Sequence, residues 1–216
     1  ESVYKQWRNA GAHRYLLRIE SSNPEIYKKL HPQGHSFERR VECLYTLKRL
    51  GYQLGTGVMI GLPEQSLLDL AHDIEFFAEV DADMIGMGPY IPHHDTPLGK
   101  SIPITPEYME QQLLLGLKMI AVTRLYLHDV NIASTTALQA LAADGRERGL
   151  LAGANVIMPN ATAVGYRAGY QLYENKPNLD ENAEETMAAL EASVKSIGET
   201  LRLNELGDSP HAKGRE

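Results

Sequence analysis

What most constrains this chain is an alternation. Short β-branched and apolar runs at 13–19, 53–60, 84–90, 129–134 and 154–158 are separated by longer stretches whose apolar residues return at helical spacing. Helices are expected at 2–10, from Asn23-Pro24, and at 36–50, 66–80, 105–124, 136–149, 162–169 and 180–203. Repeated strand–helix–strand units place the strands parallel, with right-handed crossovers. The fold class is therefore α/β, leaving an open doubly wound sheet or a (β/α) barrel. No G-x-G-x-x-G follows a strand, which disfavours a dinucleotide-binding sheet. Charged and polar residues in strands and at their C-terminal ends favour the barrel, whose functional groups gather at that end.

The punctuation is explicit. Asn23, Ser36, Ser66 and Asp180 are expected N-caps, Pro24 and Pro106 sit at first helical positions, and Gly51 stops a helix. Phe37, Val41, Leu44 and Leu47 mark one apolar face, and Leu70, Ile74 and Phe77 another. Residues 1–178 are read as a barrel portion, 179–203 as a C-terminal helix, and 204–216 as a polar, disordered tail.

The net charge of −7 argues against a nucleic-acid surface, which needs clustered Lys and Arg. No apolar run approaches the ~20 residues that span a bilayer, and no secretory start is visible. A cytoplasmic protein with no membrane association is expected. Helical sequence begins directly after Glu1, so a preceding segment is expected too. One cysteine, Cys43, can form no intrachain disulfide and cannot hold an iron–sulfur cluster, which takes three or four ligands.

Several residues could carry chemistry. Arg18 and Glu20 are two apart on a strand and share a face; inside a barrel they would be paired with each other or bound to a ligand. Arg39 or Arg40 could hold a carboxylate, although adjacent arginines on a helix are more often solvated. Gly57 to Pro63 runs from strand into turn and lets backbone approach a ligand. His93, His94 and Asp95 are possible metal ligands, but adjacent histidines on extended chain point apart, so a stiff proline-bounded loop is the simpler reading and no metal site is expected. Ser134, Thr135 and Thr136 could bind an anion or simply cap a helix. Met158 could pack on a flat apolar group or fill the core; Tyr166 and Tyr170 share a helical face, usually for packing.

Taken together, Arg14 to Glu20, Ser36 to Arg40, Gly61-Leu62-Pro63, Gly88 to His93, Asp95-Thr96-Pro97, Ser134 to Ala137 and Gly153 to Asn160 resemble the radical S-adenosylmethionine (radical SAM) superfamily, and within it the FeFe-hydrogenase maturase family related to biotin synthase. Biotin synthase is less similar, carrying an Arg-bearing strand where this chain has Ser134-Thr135-Thr136. Methylornithine synthase and the tyrosine-cleaving maturase are further relatives.

The resemblance implies a (β/α)8 barrel of which this chain is the C-terminal portion. It also implies a 4Fe–4S cluster on a C-x-x-x-C-x-x-C loop that this chain lacks, and S-adenosylmethionine as the source of a 5′-deoxyadenosyl radical. By matching position, Glu20, Arg40, Met158 and Tyr170 would contact S-adenosylmethionine. Arg18, Met84, Pro89, Thr135 and Thr136 would line the pocket for a small-molecule or organometallic substrate. Other hydrogenase maturases would be the partners. No catalytic residue is expected within this chain, which by itself should be inactive. The alternatives are another biotin synthase-like radical SAM activity and a cluster-free anion-binding barrel.

Overall fold

The structure is a computed structural model that describes residues 1–159, 162–167 and 183–214. Helix α1 (Ser2–Asn9) leads to β1 (Arg14–Leu16), then α2 (Pro24–Leu30), α3 (Phe37–Arg49), β2 (Gln53–Thr56), β3 (Met59–Ile60), α4 (Leu67–Glu79), β4 (Met84–Ile85) and β5 (Gly88–Pro89). A 3-10 turn (Gly99–Ser101) precedes α5 (Pro106–Leu127), β6 (Asn131–Ser134), α6 (Thr136–Leu141), α7 (Gly145–Leu151), β7 (Val156–Ile157), α8 (Val164–Arg167), α9 (Ala183–Ser196) and α10 (Pro210–Lys213). The strands form a parallel sheet in the order β1-β2-β4-β6-β7, and β3 pairs with β5 beyond β2 and β4.

The caps act as their chemistry requires. Asn23 accepts from the N–H groups of Glu25 and Ile26, and Ser36 from that of Arg39. Ser66 and Asp69 form a reciprocal capping box at the start of α4. Alternation along the strands then divides the sheet. Ile19, Leu54, Val58, Ile60, Ile85, Met87 and Ile132 are buried in the core beneath the helices. Their neighbours, including Leu16, Arg18 and Met84, face the other side and stay partly open.

Three expectations are corrected. The stretch 136–149 is two helices, because Gly145 folds back onto α6: a Cβ there would lie 2.0 Å from the Leu138 carbonyl oxygen. The last long helix ends at Ser196, before Gly198 at φ +81°, rather than at 203; the proposed cap Asp180 lies outside the described residues. Residues 204–214 of the tail expected to be disordered include the short helix α10, and their polar groups bond to the rest of the fold. Asp208 accepts from Arg14 and from Gln53 Nε2 at 2.8 Å, Gly207 O accepts from Asn131 Nδ2 at 2.9 Å, and the His211 ring sits between Asp81 (2.6 Å) and Asp129 (3.2 Å).

This segment closes the N-terminal ends of the strands over a cavity of about 100 Å³ lined by Leu16, Met84 and Val156 among others. The Arg14 and Gln53 bonds hold the Asp208 carboxyl below the usual aspartate range. A depressed carboxylate stabilises the fold above its unfolded value of about 4 and loses that contribution as pH falls through the folded value. Hydrogen-exchange protection across 206–213, relative to the intrinsic rate at each pH, is therefore expected to fall selectively as pH drops below about 4, and Asp208→Ala to give the same loss of protection at pH 7.

Candidate active site

The C-terminal ends of the strands carry the candidate site. After β1 the chain continues extended, with Ile19 in the core, so Arg18 and Glu20 both face away from the helices. Glu20 has φ +67°, in the left-handed region that costs an L-residue about 1–2 kcal/mol. It is stitched there on both sides: its N–H donates to Gly57 O at 3.0 Å, and its carbonyl accepts from Met59 N–H at 2.9 Å. Non-glycine residues held this way cluster at ligand clamps.

Arg18 and Glu20 form one unit. Arg18 Nη2 donates to Val58 O at 2.8 Å and lies 3.0 Å from Glu20 Oε2. Arg40, on α3, braces the same strand: its Nη1 donates to Arg18 O and its Nε to the Tyr27 hydroxyl, each at 3.0 Å. Arg39 instead pairs with Glu42 at the exposed helix surface, 2.6 Å away.

Between this unit and β6 the sheet surface is nearly bare. Leu16 crosses Gly55, and Thr135 lies over Gly88, 2.9 Å from where a Cβ would stand. At Gly86 a Cβ would meet nothing nearer than 3.8 Å. Glycines thus leave a floor that a ligand can approach to backbone distance.

Buried polar atoms remain around that floor. Arg18 Nε and Thr135 Oγ1 have no hydrogen-bond partner among the described residues, and Glu20 Oε2 has only the Arg18 charge beside it. Thr135 is the N-cap of α6, yet its side chain makes no capping bond, so capping does not explain it. Buried polar atoms left without partners call for a ligand or ordered water. The carboxylate fits a cationic group, such as the amino group of S-adenosylmethionine, and the two donors fit an anionic group beside it. The same test fails for an iron–sulfur cluster: Cys43, the only cysteine of the chain, is on α3 and cannot hold one.

Other candidates fall elsewhere. Met158 follows β7 and is 43% exposed. Met84 faces the open side but lines the cavity at the N-terminal ends. The Pro89 ring packs where a Cβ on Gly116 of α5 would stand, so it faces the helices. Thr136 begins α6, and Tyr170 lies outside the described residues. His93 and His94 do not point apart, because the loop turns there. Their rings stack at 4.6 Å, and with Asp95 they bring one ligand atom each within 4.8 Å of the others, although His94 and Asp95 are exposed and His93 Nδ1 already accepts from Asp95 N–H.

The architecture is that of a parallel (β/α) barrel portion, with the candidate site at the C-terminal ends of its strands. Residues 1–77 match the Radical SAM superfamily, and the chain belongs to that superfamily. It is 50% identical over 173 residues to the FeFe hydrogenase maturase subunit HydE of Thermotoga maritima, a match covering 80% of this chain and 47% of that protein. It is 31% identical over 156 residues to a biotin synthase of a Cyanothece species, covering 70% of this chain and 38% of the relative. The chain thus spans about half or less of these relatives. Its fold is similar to methylornithine synthase (PylB), with a TM-score of 0.69 at 21% identity over 94% of this chain and 56% of that one.

Two glycine substitutions separate scaffold from floor. At Gly57 a Cβ would lie 2.0 Å from Gly86 O, so Gly57→Ala is expected to destabilise by ~3 kcal/mol, the upper end for overpacking. Gly86→Ala, with open space, should change the urea midpoint by the equivalent of less than about 0.5 kcal/mol.

Proposed function

We propose that this chain is the S-adenosylmethionine- and substrate-binding portion of a radical SAM enzyme that acts in maturation of FeFe hydrogenase, in the cytoplasm. The observation that carries the reading is the Arg18–Glu20 unit with its unsatisfied donors beside a glycine floor. The 50% identity to the maturase supports this branch over biotin synthase.

In this reading Glu20 accepts from the amino group of S-adenosylmethionine and stabilises its positive charge. Arg18 and Thr135 hold an anionic group of the substrate, a small or organometallic molecule, and Arg40 keeps the β1 end in place. Met158, Tyr170 and Thr136 complete the surroundings. A 4Fe–4S cluster, held by cysteines outside this chain, would supply the electron that cleaves the sulfonium to a 5′-deoxyadenosyl radical. Within this chain the residues bind and orient; once the remaining strands of a complete barrel close over it, the sheet face would keep water and stray hydrogen donors away. β1 is an edge of the sheet among the described residues, where the remaining strands of a complete barrel would pair. Other maturases are the expected partners.

The test uses the complete protein, reconstituted anaerobically with iron and sulfide. Addition of S-adenosylmethionine should change the electron paramagnetic spectrum of the reduced cluster, and 5′-deoxyadenosine should form. Support of hydrogenase activation in a maturation assay separates the maturase reading from biotin formation. Glu20→Gln keeps the shape but removes the charge, and should weaken S-adenosylmethionine binding by about tenfold, within the range for a hydrogen bond to a charged group. An unchanged affinity would remove Glu20 from the site.

A further inference from the structure

The most deeply buried carboxylate near the site belongs to Asp73, which is 0% exposed and lies on the apolar face of α4 with Leu70, Ile74 and Phe77. Burial pushes its pKa up to about 6. A charge-bearing group in such a place is costly unless its bonds are needed.

Its bonds reach both chains that stitch Glu20. Asp73 Oδ1 accepts from Ser22 N–H at 2.7 Å and from the Ser22 hydroxyl at 2.6 Å. Its Oδ2 accepts from Gln65 Nε2 at 3.3 Å. Gln65 in turn donates to Met59 O at 3.2 Å, and its Oε1 accepts from the N–H groups of Gly61 (2.7 Å) and Leu62 (3.1 Å). Ser22 stands just past Glu20, and Met59 N–H is what the Glu20 carbonyl accepts. Asp73 therefore ties down the segment leaving Glu20 and, through Gln65, the strand on which Glu20 rests. Backbone in a disfavoured region persists only where its surroundings over-determine it.

We propose that Asp73 is a positioning residue: through Ser22 and Gln65 it holds Glu20 in its left-handed conformation and so sets affinity for the cationic amino-acid end of S-adenosylmethionine. This rests on the functional reading above. Asp73 itself contacts no ligand. Asp73→Asn keeps an acceptor for Ser22 but turns an amide NH₂ toward the NH₂ of Gln65. Two donors then face each other, and Gln65 must rotate away from Met59 or from the Gly61–Leu62 turn.

The experiment compares the complete reconstituted wild-type protein with Asp73→Asn, Gln65→Ala and Asp83→Asn. Asp83 is also buried, but it accepts from Leu54 N–H at 2.7 Å near the N-terminal ends of the strands. Equilibrium dialysis gives the Kd for S-adenosylmethionine, thermal melting reports the fold, and 5′-deoxyadenosine formation gives KM and kcat. Asp73→Asn and Gln65→Ala should raise Kd and KM about tenfold, the scale of one or two lost hydrogen bonds, with kcat at saturation nearly kept. Asp83→Asn should lower the melting temperature and leave Kd unchanged.

A folded Asp73→Asn or Gln65→Ala variant with wild-type Kd overturns the proposal, as does an equal rise in Asp83→Asn. Should Asp73→Asn fail to fold, Gln65→Ala decides by itself. If the wild type binds no S-adenosylmethionine while its cluster assembles, the functional reading fails and this inference falls with it.

Discussion

Glu20 is held in a left-handed conformation between two strands, and the rest of the site is arranged around that rung. Its N–H reaches Gly57 and its carbonyl reaches Met59, so the β1 segment closes onto the β2–β3 segment where the regular ladder has stopped. A Cβ on Gly57 would lie 2.0 Å from Gly86 O, and at this level the two long expected strands each appear as a pair of short ones. The break aims Glu20 and Arg18 at the open face while Ile19 between them stays in the core. Strain and close approach at one level of the sheet produce the carboxylate–guanidinium unit.

The two ends of the strands have different tasks. At the N-terminal end, polar groups are satisfied within the chain: Arg14, Gln53 and Asn131 bond the 206–208 segment, and Asp83 bonds Leu54. At the C-terminal end, Arg18 Nε and Thr135 Oγ1 are buried without hydrogen-bond partners among the described residues. Satisfied polar groups stabilise and exclude ligands, whereas unsatisfied ones beside open backbone invite them.

Much of this was legible in the sequence for local reasons. Caps at Asn23, Ser36, Ser66 and Thr105 form because a side-chain oxygen meets N–H groups two or three residues on. The two-residue spacing of Arg18 and Glu20 put them on one face because strand periodicity is local. The side that Pro89 faces depends on Gly116 of a helix well along the chain, which strand position alone does not give. Asp73 was passed over, although a carboxylate on the apolar stripe of Leu70, Ile74 and Phe77 was a visible signal. The segment 204–214 carries no local signal of its order because its partners, Arg14, Asn131 and Asp129, lie on or just before remote strands.

The sequence by itself determined the parallel α/β order, the helix starts and the shared direction of Arg18 and Glu20, since spacing and capping act over a few residues. Tertiary structure decided the left-handed turn at Glu20, the clamp from Asp73 and Gln65, the bare glycine floor and the closing C-terminal segment. Each of those depends on groups far apart in the chain meeting within hydrogen-bond or van der Waals distance, which local propensity does not encode.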